Sequence, residues 1–296
     1  MCIRDRPILF IGWWVLGRVR GDRRQILTLS LVLGLLIAGG GVYATHVEPR
    51  LLRVDQVVVS APVPQPVRVG VIADLQSPAV GRIEEAAIAR MLDQDPDLVL
   101  VPGDWFQGTS EQLEASRADF TSLLATLVAR VGTVVVVSGD SDGASRLNPM
   151  AVDAGAIFLD SATTTVRVGT TELRIAGVPV APSQARFETL QELRQPSDAF
   201  TILLAHRPDA VFDLDAGADV DLVVSGHTHG GQVSIPFLGP PVTFSDIPRD
   251  LAAGGLGVVD GFPVYVSTGV GLERLQAPQV RFGARPSIGV IDIMAG

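Results

Sequence analysis

Five short apolar segments of this chain each end at an aspartate or a histidine. Runs of valine, isoleucine and leucine of this length are typical of buried β-strands. In open α/β sheets, functional side chains collect at the carboxyl ends of the strands. The pattern therefore predicts an α/β fold in which carboxylates and imidazoles meet at one edge. The segments are VGVIAD ending at Asp74, LVLVPGD at Asp104, VVVVSGD at Asp140, TILLAH at His206 and DLVVSGH at His227, with His229 two residues further on.

The residue types at these strand ends indicate a divalent-metal site. Carboxylate oxygen and imidazole nitrogen are common protein ligands for divalent metals. The 296-residue chain has only four histidines, and three of them belong to this set. A single aspartate after a strand is more often a turn or cap residue, but five such strand ends favour one shared site.

Composition excludes some classes of function and suggests a membrane segment. The formal net charge of −9 argues against a nucleic-acid-binding surface, which would be basic. The single cysteine, Cys2, rules out an intrachain disulfide and a cysteine-based zinc site. The 47% hydrophobic content is high for a soluble enzyme, so we expect an apolar membrane segment in addition to a core. No protein partner is indicated.

Residues 25–45 carry no charge and are long enough to cross a bilayer, which takes roughly 20 apolar residues. Four arginines between residues 18 and 24 precede this segment, and by the positive-inside rule they face the cytoplasm. Two interpretations stay open: a permanent single-pass anchor, or an export signal cleaved near Val42-Tyr43-Ala44. Both place the following domain outside the cytoplasm. Residues 1–24 are expected to form an N-terminal segment on the cytoplasmic side, with a short apolar run at 7–17 whose role the sequence leaves open.

Residues 46–296 are predicted to form one domain of mixed strands and helices. After the segment APVPQP at 61–66, the pattern predicts strands at 67–73, 97–101 and 133–137, and helices near 82–94, 110–130 and 148–154. Residues 163–178 predict an antiparallel hairpin turning at Gly169, followed by a helix near 183–195. Strands ending at the histidines and two tail strands complete the set. This number of elements suits two packed sheets with helices outside.

Taken in order, these motifs resemble those of the calcineurin-like metallophosphoesterases. The resemblance extends from about Val47 to the end, and the segments VEPRLLRVDQVVV and VRFGARPSIGVIDI resemble the membrane-associated bacterial branch. It implies the four-layer α/β/β/α sandwich of metal-dependent phosphatases. The motifs are Asp74-Leu75-Gln76, Gly103-Asp104, Gly139-Asp140-Ser141-Asp142, His206 and Gly226-His227-Thr228-His229-Gly230-Gly231-Gln232.

The resemblance implies two divalent metal ions and the hydrolysis of a phosphate ester, with a phosphodiester favoured. It assigns Asp104 as the bridge between the metals. The substrate class stays open: a lipid-linked or sugar-nucleotide-like phosphodiester at the membrane surface suits an anchored enzyme, and a phosphomonoester, a soluble nucleotide or a cell-wall polymer is an alternative. By resemblance the first metal is held by Asp74, Gln76, Asp104 and His229, the second by Asp104, Asp140, His206 and His227, and the catalytic positions are Asp104, Ser141 and His206.

Two motifs depart from the family pattern. Gln76 stands where the family has a histidine ligand, and Asp140-Ser141 stands where it has asparagine and histidine. The family histidine at position 141 is thought to protonate the leaving group, help worth ~10²–10⁴-fold. A serine hydroxyl is not an acid near pH 7. An oxygen-rich ligand set shifts metal preference toward Mn²⁺ or Mg²⁺, with Fe and Zn²⁺ as alternatives.

These departures support a second interpretation, in which the chain is a catalytically weakened metal- or phosphate-binding membrane protein of the same fold. Two further features have two interpretations each. Trp105 and Phe106 either line the substrate cleft or pack beneath it. The apolar, proline-rich segment 234–248 is either a lip that touches lipid or a packed loop.

Overall fold

The computed structural model describes residues 23–296 and divides them into an apolar helix and a folded domain. Helix α1, Arg23–Val42, has no buried side chain. Within residues 23–296, one helical stretch, Arg23–Arg50, is long and apolar enough to cross a membrane. The predicted apolar segment 25–45 therefore falls on a helix, and the choice between anchor and export signal stays open. The compact domain comprises Ala44–Gly296. The apolar run at 7–17 lies outside the described residues.

The domain contains twelve strands among its described residues, with five helices in the connections between them. The helices are α2 (Arg82–Leu92), α3 (Ser110–Val131), α4 (Gly143–Ala154), α5 (Gln184–Glu192) and α6 (Arg249–Ala252). The strands are β1 (Arg53–Ala61), β2 (Val67–Val71), β3 (Leu98–Val101), β4 (Val134–Val136), β5 (Ile157–Phe158), β6 (Ala162–Val168), β7 (Thr171–Val178), β8 (Phe200–Ala205), β9 (Leu222–Ser225), β10 (Gly255–Val259), β11 (Phe262–Val266) and β12 (Ser287–Ala295).

The strands form two six-stranded sheets whose central strands run parallel. The first sheet has the order β1-β12-β2-β3-β4-β5, and the second has the order β10-β11-β9-β8-β7-β6. Strands β2, β3 and β4 pair in parallel in the first sheet, as do β8 and β9 in the second. Each sheet therefore delivers the ends of its central strands to one edge.

Three separate apolar clusters show that the domain has four layers. Side chains between the sheets, such as Val69 and Val224, form the central cluster. Phe120 and Met91, from α3 and α2, belong to a second cluster on the outer face of the first sheet. Leu251, from α6, belongs to a third cluster on the outer face of the second sheet. The predicted four-layer α/β/β/α sandwich is confirmed.

The elements differ from the predicted ones mainly at the edges. The hairpin of β6 and β7 turns at Gly169 as predicted, with a φ of 56° that favours glycine. Helix α4 begins at Gly143, five residues before the predicted start near 148. The prediction missed its first turn because that turn lacks a run of apolar residues. Strands β1 and β10 were not predicted from periodicity. Strand β1 is the edge strand, paired in parallel with β12 along nine residues.

Candidate metal centre

The predicted ligand residues all lie in loops that follow the central strands. Asp74, Asp104 and Asp140 come after β2, β3 and β4 of the first sheet, and the histidines come after β8 and β9 of the second. Because the two sheets pack face to face, these loops converge. Two groups have ligand atoms within 4.8 Å of one another: Asp140, His206 and His227, and Asp74, Asp104 and His206.

The backbone at these positions is strained, which is typical of functional sites. Among residues 23–296, eleven residues other than glycine have a positive φ, and six of them lie in the site loops. Each such residue costs on the order of 1–3 kcal/mol and persists only where the surrounding structure fixes it. The six are Asp74, Gln76, Asp104, His227, His229 and Gln232, with φ values of 51°, 42°, 53°, 71°, 50° and 57°.

Two glycines allow the loops to approach one another. A Cβ on Gly139 would overlap Oδ1 of Asp104, and a Cβ on Gly226 would overlap Oδ2 of Asp74. No side chain fits at either position unless the neighbouring loop moves. The glycines before Asp140 and His227 are therefore needed because the carboxylates of neighbouring loops occupy that space.

Three residues form the half of the site that we call the imidazole half: Asp140, His206 and His227. The Nδ1 of His206 donates to the carbonyl of Pro102 at 2.8 Å, so its Nε2 faces Asp140 Oδ2 at 3.3 Å. The Nε2 of His227 donates to the carbonyl of Phe244 at 3.1 Å, so its Nδ1 lies 3.0 Å from the same oxygen. Carbonyls of this kind fix which imidazole nitrogen is available to a metal.

The electrostatics of this half favour positive charge. Burial lowers the pKa of His206, but Asp104, Asp140 and Asp74 outweigh it and raise that pKa to about 10. Burial also opposes ionisation of Asp140, yet hydrogen bonds from His206, His227 and Arg207 hold its pKa well below the usual range. The three carboxylates therefore favour a positive charge between them. When no metal is bound, protonated His206 provides that charge.

Asp74, Gln76 and His229 form the second half, which we call the amide half. The Asp74 carboxylate accepts the backbone N–H of His227 at 3.0 Å and lies 3.8 Å from Nε2 of His229. Burial, followed by the charge of Arg281, lowers the pKa of His229 well below its usual value, so the ring is neutral as a ligand must be. Burial and Asp104 raise the pKa of Asp74 to about 7, although His206 opposes this.

Gln76 presents an unpartnered oxygen in this half. Its Nε2 donates to Oδ2 of Asp104 and to Oε2 of Glu273, both at 2.9 Å. Its Oε1 is buried and has no hydrogen-bond partner. A buried amide oxygen without a donor is unfavourable unless something else binds it, and an amide oxygen is a suitable ligand for a hard cation. The side chain therefore fits the place of a metal ligand.

Glu273 was not predicted from the sequence, although it anchors this arrangement. Its Oε1 accepts the backbone N–H groups of Leu275 at 2.6 Å and Gln276 at 3.0 Å. Burial alone would raise the pKa of Glu273, but these bonds, with those from Gln107 and Gln76, lower it. A fixed carboxylate at this point keeps the amide nitrogen of Gln76 turned toward it and the amide oxygen turned away.

Two arginines were also missed. Arg207, directly after His206, donates from Nε to Asp140 Oδ2 at 2.9 Å and from Nη2 to Oδ1 at 2.6 Å. Arg281 is fully buried and donates to the carbonyls of Gly271 and Thr268, and its Nη2 lies 3.4 Å from Nδ1 of His229. Burial lowers the pKa of Arg281 to about 10, and it stays charged at neutral pH.

The candidate centre lies at the floor of a cavity of about 840 Å³. Asp104, Asp140, His227 and His229 line the floor. The guanidinium of Arg207 is at the wall. Apolar residues line the remaining walls, among them Val242, Phe244 and Pro278. A cavity of this size with a polar floor suits a small ligand that carries both a charged and an apolar part.

Comparison with known proteins identifies the family to which the chain belongs. The family model described as calcineurin-like phosphoesterase matches residues 67–231, which is more than half of the chain. The chain belongs to this family. The matched region contains the strand-end motifs from Asp74 to His229, and the last three strands, β10 to β12, lie beyond it.

Several curated proteins are similar to this calcineurin-like phosphoesterase over most of its length. The uncharacterized metallophosphoesterase YkuE of Bacillus subtilis is 27% identical over 92% of this chain and 97% of its own. Phosphodiesterase YaeI of Escherichia coli is 24% identical over 70% of this chain and 74% of its own. A Bos taurus transmembrane protein with a metallophosphoesterase domain is 26% identical over 92% of this chain and 61% of its own. Family membership implies divalent metals and phosphate-ester substrates.

The loop around Ser141 is held by hydrogen bonds to the neighbouring site loops. The Ser141 backbone N–H donates to Oδ1 of Asp104 at 2.7 Å, and its hydroxyl donates to the carbonyl of Phe106 at 3.0 Å. The side chain therefore does not line the cavity. Asp142 accepts the N–H groups of Trp105 and Gly139 at 2.7 and 2.8 Å, which ties two site loops together.

Trp105 and Phe106 are fully buried in the outer cluster of the first sheet. Of the two interpretations of these aromatic residues, packing beneath the site is therefore correct.

Proposed function

We propose that this calcineurin-like phosphoesterase is a phosphodiesterase that uses two divalent metal ions at the extracytoplasmic surface of a membrane. The observation that carries the proposal is the convergence of Asp74, Asp104, Asp140 and three imidazoles around the floor of one cavity. The side chains that face one another are all potential ligands, and carbonyls already fix two of the rings.

The proposed ligands follow the two halves of the site. Asp104 belongs to both sets, because its Oδ2 contacts both Gln76 and His206. When bound, two such ions stabilise charge on a phosphoryl group and provide a nucleophile at neutral pH. Mn²⁺ is favoured by the oxygen-rich set, with Mg²⁺, Fe and Zn²⁺ as alternatives. The amide half offers Asp74, Gln76, Asp104 and His229, and the imidazole half offers Asp104, Asp140, His206 and His227.

Arg207 gives the cavity its affinity for an anion. Its guanidinium is exposed, lines the cavity and is held in orientation by both oxygens of Asp140. A planar guanidinium suits a phosphate group. The apolar walls suit the organic part of the ester, which is why a lipid-linked phosphodiester is the proposed substrate class. Ser141 is placed to orient Asp104 through its backbone, and the leaving group departs without help from this side chain.

Two assays test the proposal. The purified full chain, loaded with Mn²⁺, is expected to hydrolyse bis-nitrophenyl phosphate and to show a preference within a panel of soluble and lipid phosphodiesters. An enzyme reporter active only outside the cytoplasm, fused after Gly296, is expected to be active. Activity of a cytoplasm-only reporter at that position would contradict the orientation, and absence of turnover with any metal would contradict the activity.

A second candidate function is metal or phosphate binding without efficient turnover. The specific observation in its favour is that the Ser141 hydroxyl is bonded to Phe106 and does not line the cavity. This candidate predicts stoichiometric metal binding and micromolar or tighter phosphate binding by a protein that does not hydrolyse even activated aryl phosphodiesters. The same purified, metal-loaded sample distinguishes the two functions.

A further inference from the structure

The segment that follows the last candidate ligand projects an aromatic side chain into solvent. Ile235 and Gly239 exchange backbone hydrogen bonds of 3.0 and 2.9 Å, which closes a tight turn with Phe237 at its tip. Phe237 is fully exposed and has a φ of 68°, a conformation that is unfavourable for a bulky residue. Leu238 beside it is 71% exposed. We call residues 235–244 the lip.

The lip forms one side of an apolar rim around the metal cavity. Val242 and Phe244 line the cavity and are 53% and 50% exposed. On the other side, Ala277 and Pro278 line the same cavity, and Leu275 is 83% exposed. Exposed apolar residues are common singly, but a cluster of large ones around a functional opening marks a surface that contacts an apolar partner.

The root of the lip is joined to the segment that receives the chain from helix α1. Ser234 N–H donates to the carbonyl of Phe282 at 2.7 Å, and Phe282 N–H donates to the carbonyl of Gln232 at 2.8 Å. One residue earlier, Arg281 N–H donates to the carbonyl of Ala44 at 2.9 Å. Residues 281–284 therefore bind the lip root on one side and the first residues of the domain on the other.

A buried carboxylate strengthens this junction. Glu48 is 2% exposed and accepts the N–H groups of Gly283 and Ala284 at 3.0 and 2.9 Å. In the chain, α1 ends at Val42, so the anchored residues Ala44 and Glu48 follow directly after it. The lip root is thus joined, through residues 281–284, to the part of the domain that follows the apolar helix in sequence.

Basic residues lie on the same segment. Arg50 and Arg285 are exposed, and Nε of Arg285 donates to the carbonyl of Leu51 at 2.9 Å. Exposed apolar side chains together with basic ones bind a bilayer that carries anionic headgroups. Each basic side chain adds a modest contribution to the binding free energy.

We propose that the lip inserts into the same bilayer that α1 crosses, so that the metal cavity opens at headgroup level onto the phosphate ester of a membrane lipid. This proposal names the substrate surface of the proposed phosphodiesterase, and it rests on the proposed function in taking the cavity as the site that binds the phosphate ester. The bilayer is the proposed occupant of the lip because the segment that binds the lip root, residues 281–284, also binds Ala44 and Glu48, which follow the end of α1 closely in the chain. A packed loop would bury Phe237, and the strained turn does the opposite.

Lipid contact is tested on the full chain in proteoliposomes, independently of activity. With Cys2 replaced by serine, Phe237→Cys is labelled with an environment-sensitive fluorophore. The matched control is Phe187→Cys, because Phe187 is a phenylalanine on α5 that is 55% exposed and does not line the cavity. Doxyl-labelled phospholipids are expected to quench the probe at 237 and leave the probe at 187 unchanged, and aqueous iodide is expected to do the reverse.

Access to substrate is tested with two nitrophenyl phosphodiesters. The Phe237→Ser/Leu238→Ser variant is expected to hydrolyse soluble bis-nitrophenyl phosphate at the wild-type rate. Its hydrolysis of the nitrophenyl phosphodiester of diacylglycerol, carried in phosphatidylglycerol vesicles, is expected to fall by about tenfold or more, because two large apolar side chains lose contact with lipid. Neither side chain lines the cavity. The Phe187→Ser variant is expected to retain both activities.

The outcomes separate this proposal from the proposed function. Equal quenching of the two probes, with soluble turnover intact, overturns the lip as a lipid surface and leaves the phosphodiesterase. Efficient disulfide cross-linking between two copies of the unlabelled Phe237→Cys variant, without lipid quenching, also overturns it and assigns the lip to a second copy of the chain. Lipid quenching at 237 without turnover of either ester supports the lip and contradicts the phosphodiesterase.

Discussion

The two halves of the candidate metal centre use the same strand-end architecture but differ in how their side chains are held. In the imidazole half, His206 and His227 are oriented by main-chain carbonyls, which do not depend on the side chain of the residue that carries them. In the amide half, Gln76 is oriented by the side chain of Glu273, 197 residues further along the chain. A ligand that depends on another side chain is more easily lost. We therefore expect the imidazole half to bind its metal more tightly.

The largest expected effect is the loss of both halves at once through Asp104→Asn. Because Asp104 contacts both Gln76 and His206, this variant is expected to lose both metals and activity by about 10³-fold or more, the scale of two-metal stabilisation of the transition state. Asp119→Asn, an exposed change on α3, is the matched control. A variant with unchanged circular dichroism, two bound metals and full turnover would show that Asp104 is not the bridge.

The next effect concerns the leaving group. Since Ser141 is not an acid near pH 7, the rate of the natural protein is expected to depend steeply on leaving-group pKa, with aryl esters strongly favoured over alkyl esters. Ser141→His removes the hydroxyl that bonds to Phe106, and an imidazole turned from this half-buried position into the cavity is expected to flatten that dependence and to speed alkyl esters within the ~10²–10⁴-fold range of general acid catalysis. The measurement is kcat/KM across a series of phosphodiesters. A shallow dependence in the natural protein would mean that another group donates the proton.

The comparison of the halves is sharpened by Glu273→Gln. The amide retains an acceptor for Leu275 and Gln276 but loses the charge that orients Gln76. Affinity at the weaker Mn²⁺ site is expected to fall by about 10–100-fold, and affinity at the tighter site to stay unchanged. Isothermal titration calorimetry of the metal-free protein measures both, with the exposed Glu111→Gln as control. Equal loss at both sites would mean that the halves are not separate.

The smallest effect is the pH dependence of metal affinity. Without metal the pKa of His206 is raised to about 10, so below that pH a metal must displace its proton. Affinity is expected to rise with pH by about tenfold per unit, and more steeply below the pKa of Asp74 near 7, where a second proton is displaced. Calorimetry in buffers of different ionisation enthalpy counts the protons released. Affinity independent of pH between about 6 and 8 would contradict the ligand role of His206.

The sequence predicted those parts of the site that depend on short, contiguous segments of the chain. Asp74, Asp104 and His206 follow buried strands. The parallel pairing of β2 and β3 brings Asp74 and Asp104 together, and the packing of the two sheets brings His206 to them. The four-layer fold followed from the same strands and from the family resemblance. The same dependence explains an error. Strand β1 lies at a sheet edge, where buried and exposed side chains alternate only weakly, so its periodicity gave no clear strand pattern.

The contacts that orient the ligands could not be predicted, because they join residues that are distant in sequence. Glu273 lies in a loop without periodicity, and nothing near it in the chain indicates that it meets Gln76. Arg207 gave a clearer signal, because it directly follows a candidate ligand and bonds to another, Asp140. The Ser141 hydroxyl could not be placed without the position of Phe106.

The central claim is that these loops form a two-metal centre, and its most direct test is the stoichiometry of metal binding. Full-length protein is stripped with a chelator and titrated with Mn²⁺ at about pH 8, where Asp74 is ionised, in a calorimeter, with elemental analysis of the product. We expect two ions per chain, in a tighter and a weaker step. Binding of one ion or none, in protein with an intact fold, would contradict the account.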